Sequence, residues 1–289
     1  QQTFLHLSGV GEATERRFWQ AGFTAWNDVL DAPKLPFWRS KQDAVKAEIE
    51  ESLRRLEDKD AAWFCSRLPA GQAWRIFPEF RDSCACLDIE TTGGQLAEEH
   101  ITSIALCARG EVKTYVYGRN LEDFLDDALE HSTFITFNGR CFDVPYMERF
   151  FNSRFSHGHI DLRFVFKPLG FTGGLKALEK RFDLDRDELE GVDGLTAVWL
   201  WREFDAFGDP LALETLLAYN AMDTVNLETL MVEAYNAHRT AAPLPEAEPL
   251  APPAPAPIPH EPHLPTLRRV LGSAPVTGRR DPASWRPRT

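Results

Sequence analysis

Four carboxylates in three short motifs are the residues of this chain whose types and spacing could do chemistry. They are Asp88 and Glu90 in Asp88-Ile89-Glu90, Asp143 in Asn138-Gly139-Arg140-Cys141-Phe142-Asp143, and Asp223 in Tyr219-Asn220-Ala221-Met222-Asp223. Carboxylate oxygens are hard ligands that suit Mg²⁺ or Mn²⁺, and four of them can hold two such ions. Two ions held in this way can clamp the attacking and the leaving oxygens of a phosphodiester. The motifs therefore predict metal-dependent cleavage of nucleic acid.

Asp88 and Glu90 are two residues apart in a β-rich run, so their side chains leave the same face of a strand. Leu87 and Ile89 then point to the opposite, apolar face. An Asp-x-Glu triplet alone is a weak signal, because roughly one or two are expected by chance in so acidic a chain. The pair needs the other two motifs to carry weight.

Asp143 follows a short apolar run and the turn Asn138-Gly139. Residues just past the carboxyl end of a strand are a usual place for ligands in open α/β sheets. The alternative is that Asp143 only caps the helix that begins before Pro145, and the two roles are compatible.

Tyr219 and Asp223 lie four residues apart in a helical pattern, hence one turn apart on one face. A carboxylate buried among Leu216, Leu217 and Val225 would be costly without a cation to pair with. The phenol could orient an attacking water. The alternative is a surface helix with an ordinary Tyr and Asp.

The elements that must position these residues alternate between strand and helix patterns. Three β-rich runs (84–89, 101–108 and 112–117) precede a helix at 121–130, a strand at 133–137, a helix after Asp143 and a strand near Ile160. Helices near 174–181, 194–204 and 211–236 complete the pattern. This order is similar to that of RNase H-like folds, and it predicts an α/β domain over 81–239 with a mixed five-stranded sheet flanked by helices.

Residues 1–35 predict two short helices, at 13–21 and 24–30, after the turn Gly9-Val10-Gly11. This segment resembles a helix-hairpin-helix motif, in which glycines let a nucleic-acid phosphate approach free N–H groups. The alternative is an ordinary αα-hairpin. Residues 36–80 predict a helical connector, with an amphipathic helix at 41–59 that joins the hairpin to the core.

Residues 240–289 differ in composition from the rest. Thirteen of the 20 prolines lie between Pro243 and Pro287. Such a segment favours extended conformations, and we expect a disordered linker and tail. Its arginines and Trp285 could bind single-stranded nucleic acid or a protein partner, or the tail could only aid solubility.

The net charge of -12 would be unusual for a protein that binds nucleic acid through a broad basic surface. Residues 81–240 carry about −13 of it, in the segment that holds the acidic motifs, where bound cations would offset part of the charge. The five cysteines lack CxxC spacing, which predicts free thiols. With no long apolar run and no secretory pattern at the start, we expect a cytoplasmic protein without a membrane span.

The three ordered motifs together resemble the DEDD exonuclease superfamily in its tyrosine-type branch: Asp88-x-Glu90, Asn138 to Asp143, and Tyr219-x₃-Asp223. Residues 70–236 are also similar to the YprB-type RNase H-like nucleases, on Trp74 to Phe77, Leu87 to Gly93, Ile160 to Leu162, Gly173 to Lys176 and Tyr219 to Asp223. Some members of that family carry His in place of this tyrosine. Asp161 is a fifth acid, but in this pattern it more often closes a strand.

The resemblance implies that Asp88 bridges two Mg²⁺ or Mn²⁺ ions, that Glu90 and Asp223 complete one site, and that Asp143 serves the other. It implies that Tyr219 aligns the attacking hydroxide. Thr91, Thr92 and Gly93 would lie near the 3′ nucleotide, with Asn138 and the Gly9-Val10-Gly11 turn as further nucleic-acid contacts.

The predicted activity is 3′→5′ hydrolysis of DNA or RNA, with a single-stranded 3′ end as the expected substrate and nucleoside 5′-monophosphates as products. A second hypothesis is a catalytically silent nucleic-acid-binding adaptor with the same fold. A third is an endonuclease of junctions or hybrids. No residue can be assigned to a 2′-hydroxyl contact, so the sequence does not separate DNA from RNA.

Overall fold

The computed structural model describes residues 1–35, 41–93, 99–184, 189, 192–241 and 247–272, and its N-terminal part is helical. Within these residues five α-helices precede the sheet: α1 (Glu12–Gln20), α2 (Trp26–Asp31), α3 (Gln42–Glu57), α4 (Ala61–Arg67) and α5 (Phe77–Phe80). Val45 and Ile49 of α3, one turn apart, are buried, as the amphipathic pattern predicts. The first three helices match the predicted ones, apart from small shifts at their ends.

The sheet has five strands: β1 (Cys84–Thr91), β2 (Ile101–Ala108), β3 (Glu111–Val116), β4 (Thr133–Thr136) and β5 (Gly158–Asp161). Their order is β3-β2-β1-β4-β5. The first three strands are antiparallel to one another, whereas β4 runs parallel to β1, and β5 parallel to β4. The prediction of a mixed five-stranded sheet is confirmed.

One helix joins β3 to β4 and another joins β4 to β5, and further helices follow β5. They are α6 (Phe124–Ala128), α7 (Asp143–Phe150), α8 (Leu162–Phe166), α9 (Leu175–Arg181), α10 (Gly194–Phe207) and α11 (Pro210–Ala241). Asp193 caps α10, since its Oδ1 accepts a hydrogen bond from the Thr196 N–H at 2.9 Å. Pro210 opens α11, where a missing N–H costs nothing.

The two faces of β1 carry different side chains, as the period of two requires. Leu87 and Ile89 pack with Phe124 of α6 and Met147 of α7 in one apolar cluster. Asp88 and Glu90 therefore leave the other face, on which α11 packs against β1 and β2. The strand thus presents its acids to a single long helix.

The N-terminal helices share a core with the sheet. One cluster of buried residues joins Phe18 of α1 and Ile49 of α3 to Ile160 of β5 and Leu230 of α11. Trp74, in the 3-10 turn Ala70–Ile76, is fully buried and stacks on His238 of α11 with ring centroids 4.8 Å apart. The predicted division at residues 35, 80 and 239 remains a prediction.

Residues 247–272, which belong to the expected disordered tail, contact the domain, and the disorder of the tail remains a prediction. Asn236 of α11 hydrogen-bonds both the N–H and the carbonyl of Leu250 at 2.9 Å. The segment ends in helix α12 (Leu264–Gly272), whose Leu267 and Val270 are buried. Amino-acid composition does not indicate these contacts, because side chains of α11 form hydrogen bonds with the extended backbone. The apolar pattern of α12 is also too short to be recognised in the sequence. Trp285 and the four arginines beyond residue 272 lie outside the described residues.

No helix within the described ranges is both long and apolar enough to cross a membrane. The five cysteines are free thiols, as predicted: Cys65, Cys84, Cys86 and Cys107 are buried and Cys141 is exposed. The cellular compartment remains a prediction.

Candidate active site

The acidic site begins at the end of β1, where the strand departs from regular pairing. Asp88 lies opposite Ala105 of β2 and Glu90 opposite Ser103, and the register shifts between Glu90 and Thr91. An irregularity of this kind bends a strand and re-aims its side chains. It lies directly beside the two acids.

Asp143 reaches β1 from the neighbouring strand connection. It is the first residue of α7 and is 4% exposed. Its Oδ1 accepts a hydrogen bond from the Ile89 N–H at 3.2 Å. Strand β4 pairs with β1 only as far as Cys86, so β1 runs past its neighbour and the N–H between the two acids is available to this carboxylate.

Helix α11 supplies the third part of the site. Tyr219 and Asp223 are both buried on it, so the surface-helix alternative is wrong. Oxygen atoms of Asp88, Glu90 and Asp223 all lie within 4.8 Å of one another. Three of the four predicted ligands therefore converge, and the fourth is hydrogen-bonded to the backbone between two of them.

Burial and mutual repulsion both oppose ionisation of this cluster. Burial, followed by the charges of Asp143, Asp223 and Glu90, raises the pKa of Asp88 well above its usual value. Burial likewise raises the pKa of Asp143 to about 7, with Asp161 and Asp223 acting in the same direction. A divalent cation would relieve this repulsion, and an all-oxygen donor set of this spacing suits Mg²⁺ or Mn²⁺.

Asn220 belongs to this site, although its motif alone assigns it no role. It is fully buried, and its Nδ2 donates to Asp88 Oδ2 at 2.9 Å and to the Asp88 carbonyl at 3.2 Å. Its Oδ1 accepts a hydrogen bond from Ser103 Oγ at 3.0 Å. The position of Asn220 between Tyr219 and Asp223 is the sequence feature that could have indicated this role. A buried amide on that helix needs hydrogen-bond partners.

Asn220→Ala is expected to weaken Mn²⁺ binding and to slow hydrolysis by about 10- to 100-fold each, because it frees the Asp88 carboxylate to rotate. Calorimetric titration of Mn²⁺ and single-turnover rates measure the two effects. The matched control is Asn236→Ala, on the same helix, which changes only the contact with Leu250. Equal Mn²⁺ affinity in the wild type and Asn220→Ala would contradict this role.

Tyr219 has a cationic neighbour. Lys176 of α9 donates from its ammonium to the Tyr219 hydroxyl at 3.2 Å and to the Val192 carbonyl, and its Nζ lies 4.9 Å from the centre of the Tyr219 ring. These contacts fix both the phenol and the start of α9 beside the acids. The Gly173-to-Lys176 motif therefore contacts the third acidic motif through Lys176 and Tyr219.

Asp161 closes a strand, as predicted, and does not join the three converging oxygens. Its carboxylate accepts hydrogen bonds from the backbone N–H groups of Asn138 at 2.8 Å, Arg140 at 3.0 Å and Arg163 at 3.0 Å. It thereby ties the turn after β4 to the start of α8. Asn138 is held with a positive φ of 67°, a conformation that L-residues rarely adopt.

Thr92 and Gly93, which are predicted to lie near the 3′ nucleotide, also make contacts within the protein. The Thr92 hydroxyl accepts a hydrogen bond from the His100 N–H at 3.2 Å. Gly93 has φ +57°, and a Cβ there would lie 2.7 Å from Val198 Cγ2 of α10. Only glycine fits this close approach, whatever further role the motif has.

The Gly9-Val10-Gly11 turn lies in the N-terminal helical layer, outside the acidic cluster. Val10 is buried, whereas Gly9 and Gly11 are exposed before α1. The Ser8 N–H donates to Glu48 of α3 at 2.8 Å. The turn therefore has a packing role, and a phosphate contact there remains a prediction.

The family model described as the RNase_H superfamily matches residues 85–235, in agreement with the fold. No curated protein matches the chain. Among solved structures, the family B DNA polymerase from the hyperthermophilic archaeon Pyrobaculum calidifontis is similar at 16% identity with a TM-score of 0.39. The match covers 55% of this chain and 27% of the polymerase, so the chain spans about a quarter of that protein's length.

Proposed function

This chain belongs to the RNase H superfamily, and from that membership and its acidic cluster we propose that it is a metal-dependent 3′→5′ exonuclease of the DEDD type. It hydrolyses DNA or RNA and releases nucleoside 5′-monophosphates. The observation that carries the proposal is the convergence of Asp88, Glu90 and Asp223 oxygens within 4.8 Å. Buried acids so close together repel one another, and divalent cations bound between them would relieve that repulsion.

In this proposal Asp88, Glu90, Asp143 and Asp223 hold two Mg²⁺ or Mn²⁺ ions. Bound there, the ions would neutralise charge on the phosphodiester and make a water more acidic. Asp88 is kept in place by Asn220, and Asp143 by the Ile89 N–H, so both carboxylates are oriented before substrate arrives.

Tyr219 orients the attacking water in this proposal. Its hydroxyl accepts a hydrogen bond from Lys176 at 3.2 Å, which holds the phenol in position next to the acids. The proposed outcome is in-line attack and departure of the 3′-terminal nucleotide.

Nucleic acid is the proposed partner of two further surfaces. In this proposal Thr91, Thr92, Gly93 and Asn138 contact the 3′ nucleotide, and the Gly9-Val10-Gly11 turn is a second contact. A protein partner for the arginine-containing C-terminus and a cytoplasmic location belong to the same proposal.

The test is hydrolysis of single-stranded DNA and RNA oligonucleotides by the full chain. With Mg²⁺ or Mn²⁺, a 3′-labelled strand should release its labelled mononucleotide first, and a 5′-labelled strand should shorten stepwise. A 3′-phosphate block or EDTA should stop both. Internal cuts in the blocked strand would favour an endonuclease, and binding without metal-dependent cleavage would favour the adaptor.

A further inference from the structure

A cleft of about 1000 Å³ opens among the described residues. Its described walls come from the turn after β4, from α8 with the residues that follow it, and from the segment before α9. They include Asn138, Arg163, Phe164, Lys167, Phe171 and Gly174. The volume is at the upper end of what small-molecule pockets reach, and an open cleft of this size suits a chain molecule.

The cleft lies at the edge of the sheet that also carries the acids. Strands β1, β4 and β5 are parallel, so their carboxyl ends meet at one edge. Asn138 follows β4 and Arg163 follows β5, while the acids stand at the end of β1. Two strand spacings, about 10 Å, separate β1 from β5. Ligands of open α/β sheets bind along this edge.

Both side walls of the cleft continue into the acidic site. Asn138 is five residues before Asp143, whose carboxylate bonds the Ile89 N–H. Gly174 is two residues before Lys176, whose ammonium contacts the Tyr219 hydroxyl. Both walls of the cleft are therefore continuous along the chain with residues of the acidic site.

The charge of the cleft is opposite to that of its surroundings. Residues 81–240 carry about −13, yet among the described residues that line the cleft the charged ones are Arg163 and Lys167. Both are exposed, and they lie four residues apart. Two cations at that spacing can attract the phosphates of a nucleic-acid backbone. The acidic surface elsewhere repels those phosphates.

Aromatic rings accompany these cations. Phe164 and Phe171 are half-buried in the cleft wall. Phe171 is held by Phe166 and Phe182, with ring centroids 5.3 Å and 5.6 Å away. A partly exposed, anchored ring is a platform on which an unpaired base can stack, whereas the bases of a duplex are already stacked.

The part of the cleft wall that carries Asn138 and Arg163 is fixed by hydrogen bonds. Asp161 accepts backbone hydrogen bonds from both Asn138 and Arg163, and the Arg163 guanidinium donates to Asn138 Oδ1. Asn138 holds the positive φ described above within this arrangement. These hydrogen bonds hold Asn138 and Arg163 in fixed positions in the cleft wall.

From these features we propose that the cleft binds the single-stranded nucleic-acid chain whose 3′ end enters the acidic site. Arg163 and Lys167 contact its phosphates, and Phe164 and Phe171 stack on its bases. The assignment rests on the proposed nuclease function and adds the path of the substrate to it.

Binding without hydrolysis tests this path. Fluorescence anisotropy in EDTA measures the affinity of the full chain for 5′-labelled oligothymidylate and oligouridylate of about twelve nucleotides. Arg163→Glu with Lys167→Glu should weaken both by roughly 10- to 100-fold. The slope of log affinity against log salt concentration should become shallower by about 0.7 for each phosphate that the variant no longer neutralises. Phe164→Ala should weaken binding about 5-fold or more with an unchanged salt dependence.

The control is Arg154→Glu, a single charge reversal before β5, at the opposite edge of the sheet, which should leave affinity unaltered. The proposal is overturned if the double charge reversal binds both oligonucleotides like the wild type while circular dichroism shows it folded. Equal, Arg163-dependent affinity for a blunt duplex would also overturn it. Since no step depends on cleavage, failure of the nuclease proposal leaves this result interpretable.

Discussion

Replacing Asp88 with asparagine is expected to lower the rate of metal-dependent phosphodiester hydrolysis by more than about 10³-fold. Asp88 is the acid on which the charges of the other three all act, so it stands at the centre of the cluster. An amide of the same shape keeps the packing and removes the charge that binds cations. Single-turnover rates at saturating Mg²⁺ and Mn²⁺ measure the loss.

Asp205→Asn serves as the control, because Asp205 is an exposed residue of α10 outside the acidic cluster. Its rate should equal that of the wild type. If Asp88→Asn kept more than about a tenth of the wild-type rate, Asp88 could not have the central role proposed.

The same substitution should stabilise the protein in EDTA. Burial and three neighbouring acids raise the pKa of Asp88, so its ionised form is disfavoured in the folded state. Asparagine removes that repulsion, and each kcal/mol gained raises Tm by about 2–4 °C in a protein of this size. Higher stability with lost activity would separate a catalytic role from a folding defect.

The metal-free protein is expected to lose stability through Asp143 as the pH rises from about 4 to about 7. The folded pKa is about 7 and the ordinary value is 3.8. In that window the folded state retains a proton that the unfolded chain has released, so unfolding becomes easier as the pH increases. The total change is roughly 2–4 kcal/mol. Because a metal ion binds the ionised carboxylates, Mn²⁺ should stabilise the protein more at pH 8 than at pH 5.5.

Other groups titrate in the same pH range, so the stability of the wild type must be compared with that of a variant that lacks the Asp143 carboxylate. Burial lowers the pKa of His6 to about 3 and of His159 to about 4, and these residues destabilise the fold as the pH falls below about 6.5. Urea unfolding of the wild type and Asp143→Asn at several pH values isolates the carboxylate. Parallel pH profiles for the two proteins would contradict the prediction, as would an Mn²⁺ effect independent of pH.

The sheet could be predicted because its signals are local. Alternation at Leu87, Asp88, Ile89 and Glu90 identifies a strand with one apolar and one polar face, and the structure has that arrangement. Turn residues between the runs set the number of strands. The ends were less accurate: β3 begins at Glu111 rather than Val112, because its pairing with Ala108 of β2 decides where it starts.

The acids of the site could also be identified from the sequence, whereas the residues that hydrogen-bond to them could not. Motif spacing identified Asp88 and Asp223, but the link through Asn220 and Ser103 joins residues 117 positions apart in sequence. Such contacts depend on how α11 crosses β1 and β2, which no local pattern encodes. The roles of all these residues remain predictions.

Amino-acid composition does not predict the contacts that the C-terminal segment makes with the domain. Proline predicts extended backbone, and residues 250–263 contain no helix or strand. The contacts are made instead with distant side chains, as in the hydrogen bond between His260 Nε2 and Thr114 Oγ1 at 2.9 Å. Arg269 pairs with Asp209 at 2.5 Å, so this arginine is engaged within the fold.

The alternation of side chains along β1 makes correct strand alignment a condition for chemistry. Slipping β1 by one position along β2 would turn Asp88 and Glu90 into the apolar layer and direct Leu87 and Ile89 towards α11. Misaligned molecules would therefore be inert even if compact. Cleavage activity in refolding experiments would then count only those chains whose central strand has found its native partner residues.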